Sequence, residues 1–285
     1  MTQLINNFLN NVHTNFLQKE WCGLNATGLT VANYQNSCEE EYYLLKYFPA
    51  YLAEYYIEYK AFFEKMYSHD SLNIVSIGCG AGIDYHSLSL FPNIQINYTG
   101  IDVVDWQYRP DFQFLHQDIS TIDSSILDDT DLFVFPKILT ELSDDTVLIM
   151  AEKIVDATLP NEIYFLVSYI TDESSNKDRV NGKNKFKIVC DTLIDNGWKL
   201  SPENILDKDN SCSQHLFLKE EKGIRGYLKD FVYPPNISEL LINLKQNCNN
   251  LDTKNECIHC NINTFPMMNS KYIAFNILKF IKNDN

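Results

Sequence analysis

Long apolar runs are missing from this sequence. The longest, from Ile163 to Ile170, falls well short of the roughly 20 residues that a membrane-crossing helix needs. Basic residues are scarce: Lys and Arg total 23 against 38 Asp and Glu, a formal net charge of −15. So acidic a surface repels phosphate backbones, which disfavours wrapping nucleic acid over the whole molecule. The start of the chain, MTQLINNFLNNVH, has no basic head, apolar centre or small-residue cleavage site. The expectation is a cytoplasmic protein with no membrane partner. No internal repeat or low-complexity tract stands out. With 45% hydrophobic and 21% charged residues over 285 positions, wholesale disorder is also excluded, and the length suits one large domain with attachments or two modest ones.

Cysteine, by contrast, is plentiful for such a compartment, at eight residues. Nothing marks the chain for export, so a disulfide framework is not expected. Cys22, Cys38, Cys79, Cys190 and Cys212 stand singly and read as small buried apolar residues. Cys257 and Cys260 form a CxxC pair, with Cys248 nine residues earlier. A fourth ligand from Cys212, His215 or His259 would close a zinc tetrahedron around them. The second CxxC of the usual pattern is missing, and the expectation is no bound metal.

Three textures divide the chain. Residues 1–70 read as a helical cap. Leu4, Ile5, Phe8, Leu9, Val12, Phe16 and Leu17 fall at spacings of three and four, one apolar stripe. After a break from Gly23 to Asn36, Glu39, Glu40 and Glu41 suit the first turn of a second helix, where the dipole favours acids. That helix is dense in tyrosine and phenylalanine, and Pro49 is expected to kink or divide it. Residues 71–221 alternate short apolar runs with helical pattern, which predicts a doubly wound parallel α/β sheet. Strands are expected in LNIVSIG, INYTGID, FQFLHQD, DLFVFP and EIYFLVSYI, then at Trp198–Leu200 and in SQHLFLKE, with helices in SDDTVLIMAEKIVDATL and KFKIVCDTLIDNGW. Residues 222–285 read as a helical appendage and carry eight basic against five acidic residues.

The sharpest feature is VSIGCGAGID, residues 75–84. A buried strand runs into Gly78, Cys79, Gly80, Ala81 and Gly82, and a helix starts just after. Glycines there permit a sharp turn and close approach of a ligand to the backbone, and the helix start offers unpaired N–H groups. The second strand ends at Asp102, 20 residues past Gly82, where a carboxylate can accept both ribose hydroxyls of a nucleoside. The third ends in His116, Gln117 and Asp118, which puts a further carboxylate beside the same cleft.

On these residues the stretch from about 71 to 221 resembles the class I S-adenosylmethionine-dependent methyltransferases. The resemblance implies a seven-stranded Rossmann-like sheet with a reversed last strand. It implies a cofactor site at Gly78, Cys79, Gly80, Gly82, Asp84, Asp102, Val103, Gln117, Asp118 and Phe135, binding S-adenosylmethionine and releasing S-adenosylhomocysteine. Asp102 matches the ribose acid, Asp118 the acid near adenine, and DLFVFPKILTEL the fourth motif. Ser76 departs from the pattern, because the family usually has an acid two residues before the first glycine; Asp84 could substitute, or could simply be an acid favoured by the dipole of a helix start. A nicotinamide dinucleotide is the rival cofactor, but its fingerprint has a third glycine where Ile83 stands.

Methyl transfer needs alignment, exclusion of water and sometimes removal of a proton. No Asn/Asp-Pro-Pro-Tyr/Phe and no Pro-Cys follows the fourth strand, which argues against the base-amine and pyrimidine C5 routes those motifs serve. Lys137 and Glu141 are the nearest ionisable residues after that strand. Tyr47 and Tyr51, on the aromatic helix, could stack on an acceptor or enclose a cationic sulfonium. The expected acceptor is a small molecule. Lys177, Arg179, Lys183, Lys185 and Lys187, read as a basic loop from Lys177 to Lys187, keep RNA or protein open as an alternative acceptor. A non-catalytic binding or scaffold protein on the same fold is the remaining class.

Overall fold

The computed structural model describes residues 2–19, 37–169, 177–202 and 274–283. Two helices come first, α1 (Thr2–Leu17) and α2 (Ser37–Lys65). The α/β alternation then runs β1 (Ser71–Ile77), α3 (Ile83–Leu88), β2 (Gln95–Asp102), β3 (Gln113–His116), β4 (Leu132–Pro136), α4 (Asp144–Asp156), β5 (Glu162–Tyr169), α5 (Lys177–Asp195), β6 (Trp198–Leu200) and β7 (Ala274–Lys282).

One sheet of seven strands results, in the order β3-β2-β1-β4-β5-β7-β6. β1 pairs in parallel with β2 and with β4, and β4 with β5, while β7 runs antiparallel to both β5 and β6. This is the doubly wound α/β sheet with one reversed strand that the sequence predicts. β1 is the switch point: the chain winds outward on either side of it, which opens a crevice at the carboxyl ends of β1, β2 and β4.

Alternation along buried strands sorts side chains between two apolar cores. Leu72 and Ile74 of β1, Leu132 and Val134 of β4, and Tyr164 and Leu166 of β5 meet α1, α2 and α3. Val75 and Ile77, Phe133 and Phe135, and Ile163, Phe165 and Val167 meet α4 and α5 on the opposite face. The two amino-terminal helices therefore share a continuous core with the sheet, through Leu9, Val12 and Phe16 of α1 and Tyr42, Phe48, Leu52, Tyr59 and Phe62 of α2.

Three differences from the sequence reading have physical causes. α2 is a single helix of 29 residues that passes through Pro49 undivided. Its long buried face is held by tertiary packing, which overrides one missing main-chain bond. Helix α5 starts at Lys177, so the stretch read as a basic loop is helical. β7 comes from the segment read as helical appendage and sits between β5 and β6. The strand expected in SQHLFLKE lies outside the described residues, as do Cys22, Cys212, His215, Cys248, Cys257, His259 and Cys260. Cys38, Cys79 and Cys190 are buried free thiols, as expected. No helix among the described residues is long and apolar enough to cross a membrane.

Candidate functional site

The glycine turn sits at the mouth of the crevice. Gly78, Gly80 and Gly82 all have positive φ, at 72°, 56° and 72°. Gly78 is also sterically locked, since a Cβ there would lie 2.4 Å from Ile138 Cγ1. At Gly80 such a Cβ would make only ordinary contact, the nearest atom being Trp106 Cζ2 at 3.8 Å. The turn is tied to β2 by hydrogen bonds from the Gly78 and Cys79 N–H groups to the Ile101 carbonyl, at 2.8 and 3.3 Å. The Cys79 side chain points beneath the turn and is buried, which pushes its thiol well above the ordinary range. Cys79 thus contributes main chain, not sulfur, to the mouth.

Asp102 closes the other side. One carboxylate oxygen accepts the Gly80 N–H at 2.8 Å and the other the Val104 N–H at 2.9 Å. Burial raises its pKa, against those N–H groups and the Trp106 indole. A carboxylate has about four lone-pair directions, so two main-chain bonds orient Asp102 and leave acceptor capacity. Val103, next in sequence, is 42% exposed, an apolar surface beside that acid. Gln117 is joined to the same edge by its N–H to the Asp102 carbonyl at 3.0 Å. The His116 ring contacts the Val103 carbonyl. Asp118 is exposed and bonds locally, its Oδ1 accepting from Ser120 N and Ser120 Oγ at 2.8 Å each.

Asp84 is fully buried at the first turn of α3, beneath the glycine turn. Its Oδ2 accepts from Ser76 Oγ and Tyr98 OH at 2.8 Å each, and from Tyr59 OH at 3.5 Å. Burial raises its pKa to about 6, opposed by the Tyr98 and Ser76 hydroxyls. Asp84 and Ser76 are thus joined, the Ser76 hydroxyl donating to the Asp84 carboxylate.

The fourth strand corrects one expectation. The Phe135 side chain is fully buried in the opposite core, packed with Phe165 and Phe186, and does not face the crevice. An alternating strand that places Val134 on the crevice face must put Phe135 on the other. Lys137, just past β4, does reach the site. Its ammonium pairs with Glu54 of α2, donates to the Tyr169 carbonyl at 3.4 Å, and lies 5.0 Å from the Tyr51 ring centroid. Glu141 is exposed, and its charge reaches Tyr51 of this cluster. Tyr43, Tyr47, Tyr51 and Tyr55 repeat every four residues along α2, with consecutive ring centroids 5.3, 5.6 and 6.4 Å apart. Tyr43 also meets Trp106 at 5.6 Å, so an aromatic row leads from the Asp102 edge to Lys137.

Two acids missed in the sequence reading complete this end. Glu54 and Glu58 are both buried, one turn apart on α2. Glu58 Oε2 accepts a hydrogen bond from Ser168 of β5, and Ser168 lies in register with Pro136, the last residue of β4. Burial raises the Glu58 pKa to about 8, against the Ser168 bond and the Lys137 charge. The signal for them was legible: two acids four apart inside an aromatic stripe cannot face water while the stripe faces the sheet.

The basic stretch changes character in α5. Lys185 is 8% exposed, and its ammonium bonds to the Leu142 and Thr140 carbonyls of the turn after β4. Lys187 pairs with Asp191 on the same helix. Among the described residues no group of three or more His, Cys, Asp or Glu side chains is placed to hold a metal.

No family model and no curated protein matches this sequence. Among solved structures, the chain is similar to the plantazolicin methyltransferase BamL in complex with a triazolic desmethylPZN analog and SAH, at 12% identity and TM-score 0.45, covering 98% of this chain and 99% of that one. It is similar to the plantazolicin methyltransferase BpumL in complex with SAH at 13% identity and TM-score 0.39, over 98% and 100% of the two chains. A SAM dependent methyltransferase from Aquifex aeolicus matches 52% of this chain and 82% of its own, at 15% identity and TM-score 0.37. Scores below 0.5 leave the functional reading to the residues themselves.

Proposed function

We propose that this chain is an S-adenosylmethionine-dependent methyltransferase acting on a small-molecule acceptor. The observation that carries the reading is Asp102, a carboxylate at the switch-point edge of the sheet, oriented by the Gly80 and Val104 N–H groups with acceptor capacity left over. Asp102 would accept the ribose hydroxyls, Val103 would lie against the adenine, and the main chain from Gly78 to Gly82 would meet the amino-acid end. Asp118 and Gln117 stand on the adjacent strand end and are proposed for the adenine rim. Asp84 supplies negative charge beneath the turn, in place of the acid absent at position 76.

The cofactor would bring an electrophilic methyl group on a cationic sulfur. The residues of this chain then bind, align and dehydrate. The tyrosine row of α2 offers π faces to a cation, and α2 itself covers the crevice from above. A covered cleft favours a small acceptor. Burial of Lys185 removes one charge from the surface that RNA or an acidic protein would need, and the exposed Lys187 shares its charge with Asp191.

Calorimetry with S-adenosylhomocysteine tests the reading. Saturable binding is expected, weakened about tenfold or more in Asp102→Ala, which removes two charge-assisted hydrogen bonds to the ligand. No saturable heat with the wild-type chain, or unchanged affinity in the variant, would refute it. A chain that binds NADH in its place would be a dinucleotide enzyme.

A further inference from the structure

Beyond the cofactor edge, buried acids gather near the carboxyl ends of β4 and β5. Three buried carboxyl groups, Glu54, Glu58 and Asp84, lie close enough to influence one another, since Glu58 feels both of the others. Lys137 faces them and is engaged with Glu54. Asp84 takes two hydroxyls at 2.8 Å, both on its Oδ2, and its Oδ1 is buried without a hydrogen-bond partner. Glu58 is likewise answered on one oxygen only. Its Oε2 takes the Ser168 hydroxyl, and its Oε1 is fully buried with no hydrogen-bond partner. A buried carboxylate oxygen left unpaired is costly, so a persistent one calls for a donor from outside the chain. The buried Tyr55 lies close enough to feel the Glu58 charge, and its ring suits a cation's apolar flank.

We infer that Glu58 is the anchor of an acceptor site for an organic ammonium group, and that the acceptor is an amine. This rests on the methyltransferase reading above. The position fits transfer chemistry, since Ser168 lies beside Pro136 at the strand end that the methyl group must face. The entering ammonium displaces to solvent the proton that Glu58 holds while the site is empty, and Glu58 Oε1 then takes one ammonium proton, which exposes the nitrogen lone pair. That pair forms the nitrogen–carbon bond as the carbon–sulfur bond breaks, its electrons stay on sulfur, and the positive charge passes from sulfur to nitrogen. Burial of Glu58 equips it for this, because a carboxylate raised toward neutral pH accepts a proton that an ordinary one would not hold.

The test uses the full chain saturated with S-adenosylhomocysteine and two probes of one shape, benzylamine and benzyl alcohol, read by thermal shift and calorimetry. Benzylamine is expected to bind saturably and the alcohol not. In Glu58→Gln, S-adenosylhomocysteine affinity is expected to hold while benzylamine affinity falls about tenfold or more. Equal response to the two probes, no response to benzylamine, or a Glu58→Gln chain that binds benzylamine as tightly as wild type would overturn the inference. A variant that loses S-adenosylhomocysteine and keeps benzylamine would overturn it too, by assigning Glu58 to the cofactor's own ammonium. If Glu58→Gln fails to fold, the comparison of the two probes on wild type decides alone. A wild-type chain that binds no S-adenosylhomocysteine would instead strike the underlying reading.

Discussion

Glu58 sets a pH dependence as well as a chemistry. Its folded pKa, about 8, stands above the ordinary 4.5, because burial penalises the charged form. Between those values the folded chain keeps a proton that the unfolded chain releases, so this group's contribution to stability falls as pH rises through the window and is full below it. Glu58→Gln cannot titrate. Its melting temperature is therefore expected to gain on wild type between pH 5 and pH 8, by about 3 °C or more at the upper end; melts across that range check it, and parallel curves would refute it. Asp84 has the same sign over a lower window, from 3.8 to about 6. The glycine turn separates two reasons for glycine. Gly78→Ala adds a clash with Ile138 to a strained φ, for a loss of about 2–4 kcal/mol. Gly80→Ala meets only the strain, about 1–2 kcal/mol, but puts a methyl group into the space left for a ligand. Denaturant melts should rank Gly78→Ala as the more damaging, and calorimetry with S-adenosylhomocysteine should find Gly80→Ala impaired in binding beyond its modest loss of stability.

Helices carry the reading wrong or right according to what their charges touch. The acids at the start of α2 suit its dipole, but Glu40 and Glu41 are buried and act as tethers. Glu40 accepts the Gln107 and Tyr108 N–H groups at 3.0 and 2.7 Å, and Glu41 takes Lys19 and the Tyr108 hydroxyl. They fasten the loop that carries Trp106 beside Asp102. At α5 the run of lysines reads as solvated loop because charge density masks the helical period. Gly182 lets the helix pass close to Tyr169, a Cβ there lying 2.9 Å from the ring, and Lys185 turns inward. Lys185→Ala strands two carbonyls of the turn after β4 and is expected to cost about 1–3 kcal/mol. Lys187→Ala removes an exposed pair within one helix and should cost less than about 0.5 kcal/mol. Denaturant unfolding of the two variants measures the difference, and equal values would return both lysines to the surface.

For the molecule as a whole, what could be read from the sequence follows burial. β1, β4 and β5 are apolar on both faces, so LNIVSIG, DLFVFP and EIYFLVSYI declare themselves as central parallel strands, and Asp102 follows from the length of the first crossover. The acceptor end was not legible in that way, because Glu54, Glu58 and Ser168 converge only when α2 lies across β5. β7 was obscured differently. In AFNILKFIK the apolar residues Phe275, Ile277, Leu278, Phe280 and Ile281 fit helical spacing as well as alternation, and the strand's partners are far away in the chain. Yet its eight paired positions with β5, Glu162 opposite Ile281 through Tyr169 opposite Ala274, cover one flank of a strand buried from Ile163 to Tyr169. β6 pairs with β7 and, among the described residues, with no other strand. Ending the chain before Ala274 would expose β5 as a long apolar edge, detach β6, and withdraw Phe275, Ile277, Leu278 and Phe280 from both cores. Such a chain is expected to lose its cooperative melt and to aggregate on gel filtration, while a chain ending after Asn283 should keep both properties. A truncated chain that still melts cooperatively and binds S-adenosylhomocysteine would mean that the sheet, and the Glu58 site resting on β5, stand without their reversed strand.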